Sequence, residues 1–138
     1  MNRRTMMLLT SLTLLLFVVL LAADWTADAQ QQSTIQRKSL LRQDSTIPGY
    51  ELVMNVVEIP AGVSEIRHTH PGPLVGYVLE GTAILGHEGR PTATYKPGEA
   101  FLVEAGKIHQ GINTGNASAK ILAVLMVEKG KPTTSPAP

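Results

Sequence analysis

The sequence has 138 residues, no cysteine, and 12 Lys and Arg against 11 Asp and Glu, for a formal net charge of +1. That length suits a single domain, and the near-balanced charge removes the electrostatic case for nucleic-acid binding. Without cysteine there are no disulfide staples, so the domain must hold together through its core, helped by oligomerisation or by a metal.

Arg3 and Arg4 precede an apolar run from Met6 to Ala23, and Ala27-Asp28-Ala29 follows shortly after. A positive start, an apolar middle and a small-x-small end are the three parts of a secretory signal, here with cleavage expected after Ala29. Residues 1–29 are thus expected to be removed, leaving a protein in the periplasm or the extracellular space with no membrane attachment. The alternative is an uncleaved anchor, since the run is long enough to span a bilayer. The arginines would then hold its start in the cytoplasm, and the domain would still face outward. Trp25 is the only tryptophan, so a cleaved protein should emit ultraviolet fluorescence as tyrosine alone.

The domain is expected over residues 30–128, after a short polar leader at 30–33. Strands are predicted at Ile35–Arg42, Glu51–Ile59, Glu65–His70, Leu74–Leu79, Thr82–Leu85, Thr92–Tyr95, Ala100–Val103, His109–Ile112 and Ala119–Val127. Turn signals such as Ile47-Pro48-Gly49, Pro60-Ala61-Gly62 and Pro97-Gly98 separate them. Many short strands at regular spacing, with no long run of helical period, predict an all-β sandwich or barrel. Residues 129–138 are polar and Pro-rich, which predicts a disordered tail.

Two of these strands are apolar on both faces. Leu74, Gly76 and Val78 alternate with Val75, Tyr77 and Leu79, and Ile121, Ala123, Leu125 and Val127 alternate with Leu122, Val124 and Met126. An antiparallel strand with one wet face should alternate apolar with polar residues. A second sheet or another subunit must therefore cover the outer faces, and a homodimer is expected.

Three histidines carry the chemistry. On a strand, His68 and His70 point to one face, about 6–7 Å apart at Cα, with Arg67 and Thr69 on the other. His109 comes from a separate strand framed by glycines. Imidazole suits Zn, Cu, Fe and Ni, and three imidazoles with an open position make a catalytic rather than a structural geometry. The competing reading is an interior histidine cluster hydrogen-bonded to polar neighbours or to a small ligand. Gln110 and Asn113 are candidates to orient the ring N–H groups, with Asn113 better suited to tying down a turn. His87, between Gly86 and Gly89, reads as a surface histidine in a turn, and Tyr77 as packing directed away from the three histidines.

These residues resemble the two signature motifs of the cupins. The first motif runs G-x5-H-x-H-x(3,4)-E-x6-G, and Gly62, His68, His70 and Gly81 match it in register, with YVLEG at 77–81 typical of the family. The second runs G-x5-P-x-G-x2-H-x3-N, and Gly98, Gly106, His109 and Asn113 match it, with Glu104 in place of the proline. The resemblance implies a single-domain jelly-roll β-barrel over about residues 34–128. It also implies an interior lined by the three histidines, a divalent metal (Mn, Fe, Ni, Zn or Cu) and a small-molecule ligand. A glutamate would be the fourth ligand, but Leu74 stands at its position, flanked by Pro73 and Val75. Glu99 and Glu104 lie beside turns and are expected at the rim, exposed to solvent.

Loss of the carboxylate would leave a divalent ion with both charges uncompensated, inviting an anionic ligand. The expected function is therefore an exported cupin that binds a divalent metal and a small anionic ligand. The alternatives are a metal-dependent oxygenase, isomerase or lyase, and a metal-free ligand-binding module in which Leu74 makes the pocket more apolar.

Overall fold

A computed structural model describes residues 34–138. The signal-like segment at 1–29 and its cleavage site lie outside the described residues. Every regular element among the described residues is a strand: β1 (Gln36–Asp44), β2 (Tyr50–Ile59), β3 (His68–Thr69), β4 (Leu74–Glu80), β5 (Ala83–His87), β6 (Ala93–Tyr95), β7 (Ala100–Val103), β8 (His109–Ile112), β9 (Ala119–Glu128) and β10 (Ser135–Pro136). They form two five-stranded sheets, β1-β2-β9-β4-β7 and β10-β3-β8-β5-β6, with every pairing antiparallel.

Alternation decides which side chains meet between the sheets. On β9, Ile121, Ala123, Leu125 and Val127 are buried while Leu122, Val124 and Met126 are only half-buried. On β4 the buried row is Leu74, Gly76 and Val78. One cluster packs Val53, Leu74, Leu85, Val103, Ala123, Leu125 and Val127, and a second packs Ile59, Val78, Ala83, Ala119 and Ile121. Gly76 makes room within this layer. A Cβ there would lie 2.1 Å from Cζ of Phe101, whose ring stacks at a tilt on Tyr95 with centroids 4.9 Å apart.

The connection from β8 to β9 is held by Asn113, which is buried. Its amide donates to the carbonyls of Ile59 and Ala117, both at 2.8 Å, and its Oδ1 accepts from the Gly115 N–H at 2.9 Å. This side chain fixes a turn, and its hydrogen bonds go to the main chain rather than to a histidine ring.

The expectation of a disordered tail is corrected. After a turn at Lys129–Gly130, with Gly130 at a φ of 79°, residues 135–136 add to the free edge of β3, in the register Ser135↔Thr69 and Pro136↔His68. The Ala137 N–H also donates to the Arg67 carbonyl at 2.9 Å. Strand addition works through main-chain hydrogen bonds and tolerates a polar, Pro-containing sequence, which is why composition pointed the other way.

Candidate metal centre

The three histidines arrive from two neighbouring strands of one sheet. β3 supplies His68 and is followed directly by His70, and β8 supplies His109 in direct register with His68. Paired residues of an antiparallel ladder project to the same face. All three rings are buried, their centroids lie 4.3 to 4.9 Å apart, and one ligand nitrogen from each falls within 4.8 Å of the others.

Main-chain carbonyls set the orientation of the rings. Nδ1 of His68 lies 2.8 Å from the Ile66 carbonyl, Nδ1 of His109 lies 3.0 Å from the Lys107 carbonyl, and Nδ1 of His70 lies 2.6 Å from the Thr133 carbonyl. A carbonyl oxygen only accepts, so in each ring Nδ1 carries the proton and Nε2 presents its lone pair. Nε2 of His70 is buried with no hydrogen-bond partner. An orphaned buried acceptor is costly, and a cation at this point would satisfy it.

Burial, the largest influence, lowers the pKa of His70 to about 4; the bond to the Thr133 carbonyl opposes it, and the charges of His68 and Arg37 add to it. Burial likewise lowers His109 to about 4, against the bond to Lys107 and with help from the neighbouring histidines. Both rings are therefore neutral at pH 7, the state that metal ligation requires. Three imidazoles with oriented Nε2 atoms suit a divalent transition metal, so the residues present fit the group that the motifs imply.

The histidines end in a cavity of about 90 Å³. Its walls are mainly apolar, from Val57, Ile59, Leu74, Leu85, Phe101 and Leu125, with Arg37, Asn55 and Glu65 providing polar groups. Arg37 is ion-paired with Glu65, which also accepts from the Gly111 N–H at 3.1 Å. Leu74 lines this cavity and is paired with Val103 and Leu125, so no carboxylate enters from β4. Neither glutamate near the rim replaces it. Glu99 accepts from the Lys96 N–H at 2.7 Å, and Glu104 is ion-paired with Arg90 at 2.6 Å.

Two placements differ from expectation. Gln110 cannot orient a ring: it alternates with His109 along β8 and packs beside Gly86 on the other face of the sheet. Nor does His87 sit in a turn. It ends β5 in register with His109, half-buried, its ring centroid 6.1 Å from that of His109. Thr133 and Thr134 also line the cavity, and their polar, Pro-flanked sequence carried no signal of it. Arg37 and Glu65 also line the cavity, but nothing in their spacing singles them out from other charged residues.

Two antiparallel sheets enclosing a buried histidine triad define a double-stranded β-helix barrel with a candidate metal centre. The family model described as a cupin domain matches residues 55–125, and the chain belongs to the cupin family. No curated protein matches the sequence. Among solved structures, it is similar to a cupin superfamily protein from Desulfitobacterium hafniense at 17% identity and a TM-score of 0.59, covering 71% of this chain and 82% of that one. An uncharacterized conserved protein with a double-stranded β-helix domain from Klebsiella pneumoniae aligns at 17% identity and a TM-score of 0.64, covering 78% and 88%. A DMSP lyase from Ruegeria pomeroyi aligns at 21% identity and a TM-score of 0.63, covering 79% of this chain and 54% of that one. Likeness at this level concerns the fold.

Proposed function

We propose that this protein is an exported cupin that holds a divalent metal through His68, His70 and His109 and binds a small anionic ligand beside it. The observation that carries the reading is the set of three tethered Nδ1 atoms, which leaves the Nε2 lone pairs converging and that of His70 buried without a partner. A divalent ion held by three neutral imidazoles keeps both charges and acts as a Lewis acid towards an anion or water. The chain's own residues favour the same class of ligand. Arg37 reaches the cavity and adds positive charge near His70, while the apolar walls limit the ligand to a few heavy atoms. Export rests on the pattern of residues 1–29.

Elemental analysis of untagged protein, beside a His109→Ala variant, tests the metal. The expected result is about one equivalent in the first and little in the second. No metal in either, even after reconstitution with Mn, Fe, Ni, Zn and Cu, refutes the centre. For the ligand, the visible spectrum of cobalt-substituted protein should shift on adding acetate, and Arg37→Gln should weaken that response.

The first sheet supports a homodimer. Its outer face brings Leu102, Val75 and Tyr77 beside Leu122, Val124, Met54 and Val56 in one register, with Leu79 following at a bulge in β4. Leu102 is 55% exposed and Val75, Tyr77 and Leu79 are each above 40%, on a face that should be polar if it met water. Five strands and about eight residues make a flat face of about 24 by 26 Å, or about 600 Å². Side-chain relief brings this towards the roughly 800 Å² per partner of a standard interface. Light scattering should show a dimer at micromolar concentration and a monomer for Val75→Glu; a monomeric parent protein refutes this reading.

A further inference from the structure

The three ring tethers differ in origin. His68 and His109 donate to carbonyls two residues back in the chain, just before their strands begin, whereas His70 donates to Thr133, 63 residues away. The hydroxyl of Thr134 lies 3.4 Å from the same nitrogen, and both threonines line the cavity. Residues 132–138 contain no charged side chain. Their attachment is the two-residue ladder to β3, the bond from Ala137 to Arg67 and the bond from His70.

We propose that residues 132–137 form a strap over the histidine pocket, and that closure of this strap and metal binding at the three histidines reinforce each other. The inference rests on the metal reading given above. A cation on Nε2 of His70 withdraws electron density from the ring and makes its Nδ1–H a stronger donor to the Thr133 carbonyl. In return, that carbonyl holds His70 in the tautomer and orientation that aim Nε2 at the ion. Coupling between two binding events is reciprocal, so whatever the metal contributes to closure the strap contributes to affinity. The strap also supplies one wall of the cavity, which makes Thr133 and Thr134 contact residues for whatever ligand sits beside the metal.

The experiment compares the full chain with a chain ending at Lys131, using zinc in competition with a chromophoric chelator at pH 7.5. Loss of one such supporting bond lowers metal affinity by about 10–100-fold, and that is the weakening expected of the shortened chain. Circular dichroism of both proteins reports whether the barrel is intact. Ala137→Pro, which removes the bond to Arg67 while keeping the length, should give a smaller loss in the same direction. Amide exchange at residues 133–137 of the full chain should slow when zinc is added. Equal zinc affinity in the full and shortened chains, or exchange that ignores zinc, overturns the strap and leaves the metal centre standing. A full chain that binds no zinc overturns the metal centre, and the coupling with it. Nitrogen NMR of His70 in the metal-free state is the remaining readout: the full chain should show the Nδ1–H tautomer and the shortened chain a mixture. The same single tautomer in both overturns the positioning role of Thr133.

Discussion

Metal-free protein should lose stability between neutral pH and pH 5, and the histidine pocket sets the size of that loss. An ordinary imidazole titrates near 6.5, while His70 and His109 in the fold titrate at about 4. Below 6.5 the unfolded chain takes up protons that the folded chain accepts only near 4. Their contribution is therefore complete above 6.5 and is lost as the pH falls towards 4. From pH 7.5 to pH 5.0 each ring loses about 2 kcal/mol by this linkage, and the pair about 3–4 kcal/mol once their mutual proximity is allowed for. With domain stabilities of about 5–15 kcal/mol, that is a large fraction. The assay is urea unfolding of chelator-treated protein at the two pH values. At a slope of about 1–3 kcal/mol per molar urea, the midpoint should fall by more than about 1 M. His70→Gln combined with His109→Gln should flatten the response, which separates these rings from every other titrating group. A midpoint that barely moves, or a double variant that keeps the full drop, refutes the reasoning.

Other substitutions probe separate parts of the argument. Leu74→Glu puts a carboxylate into the cavity beside the histidines. It should destabilise the metal-free protein by about 3–5 kcal/mol through loss of a buried leucine and burial of an unpaired charge, and it should tighten zinc binding; unchanged zinc affinity would show that position 74 does not reach the ion. Gly76→Ala drives a methyl group into the Phe101 ring and should cost about 1–3 kcal/mol in denaturant unfolding. Asn113→Ala strands the carbonyls of Ile59 and Ala117 and the N–H of Gly115, with an expected loss of about 2–4 kcal/mol. In metal-free protein the ring resonances of His70 and His109 should not titrate above about pH 5, because burial delays their protonation; a transition centred at about 6.5 for either ring would contradict it.

Most of the barrel was legible because glycine and proline mark its turns and β-branched residues fill its strands. The predicted strands Ala100–Val103 and His109–Ile112 coincide with β7 and β8. Glu65–His70 shortens to the two residues of β3; before it Ser64 makes an isolated bridge to Ile112 and the Glu65 N–H donates to the Gly111 carbonyl at 2.8 Å, without a continuous ladder. The histidine set was legible from parity and from motif spacing. Its tethers were not, because each is a main-chain carbonyl, and a carbonyl is present at every residue whatever the sequence. Gln110 was misplaced for a related reason: polar type made it a candidate, but the two-residue period that aims His109 inward necessarily aims its neighbour outward. The tail is held by backbone pairing, which leaves almost no mark on composition.

The unequal reach of the three tethers bears on the order in which the site comes into being. His68 and His109 find their carbonyls two residues earlier, so each ring can be aimed as soon as its own strand is in place. His70 waits for a residue synthesised 63 positions later, after all of β4 to β9. A chain that stopped between Glu128 and Thr133 would contain β1 to β9 and all three histidines, yet the His70 ring would lack its carbonyl. On the proposed reading, full metal affinity waits on residues made after β9, so the last ring is aimed only once the other strands exist.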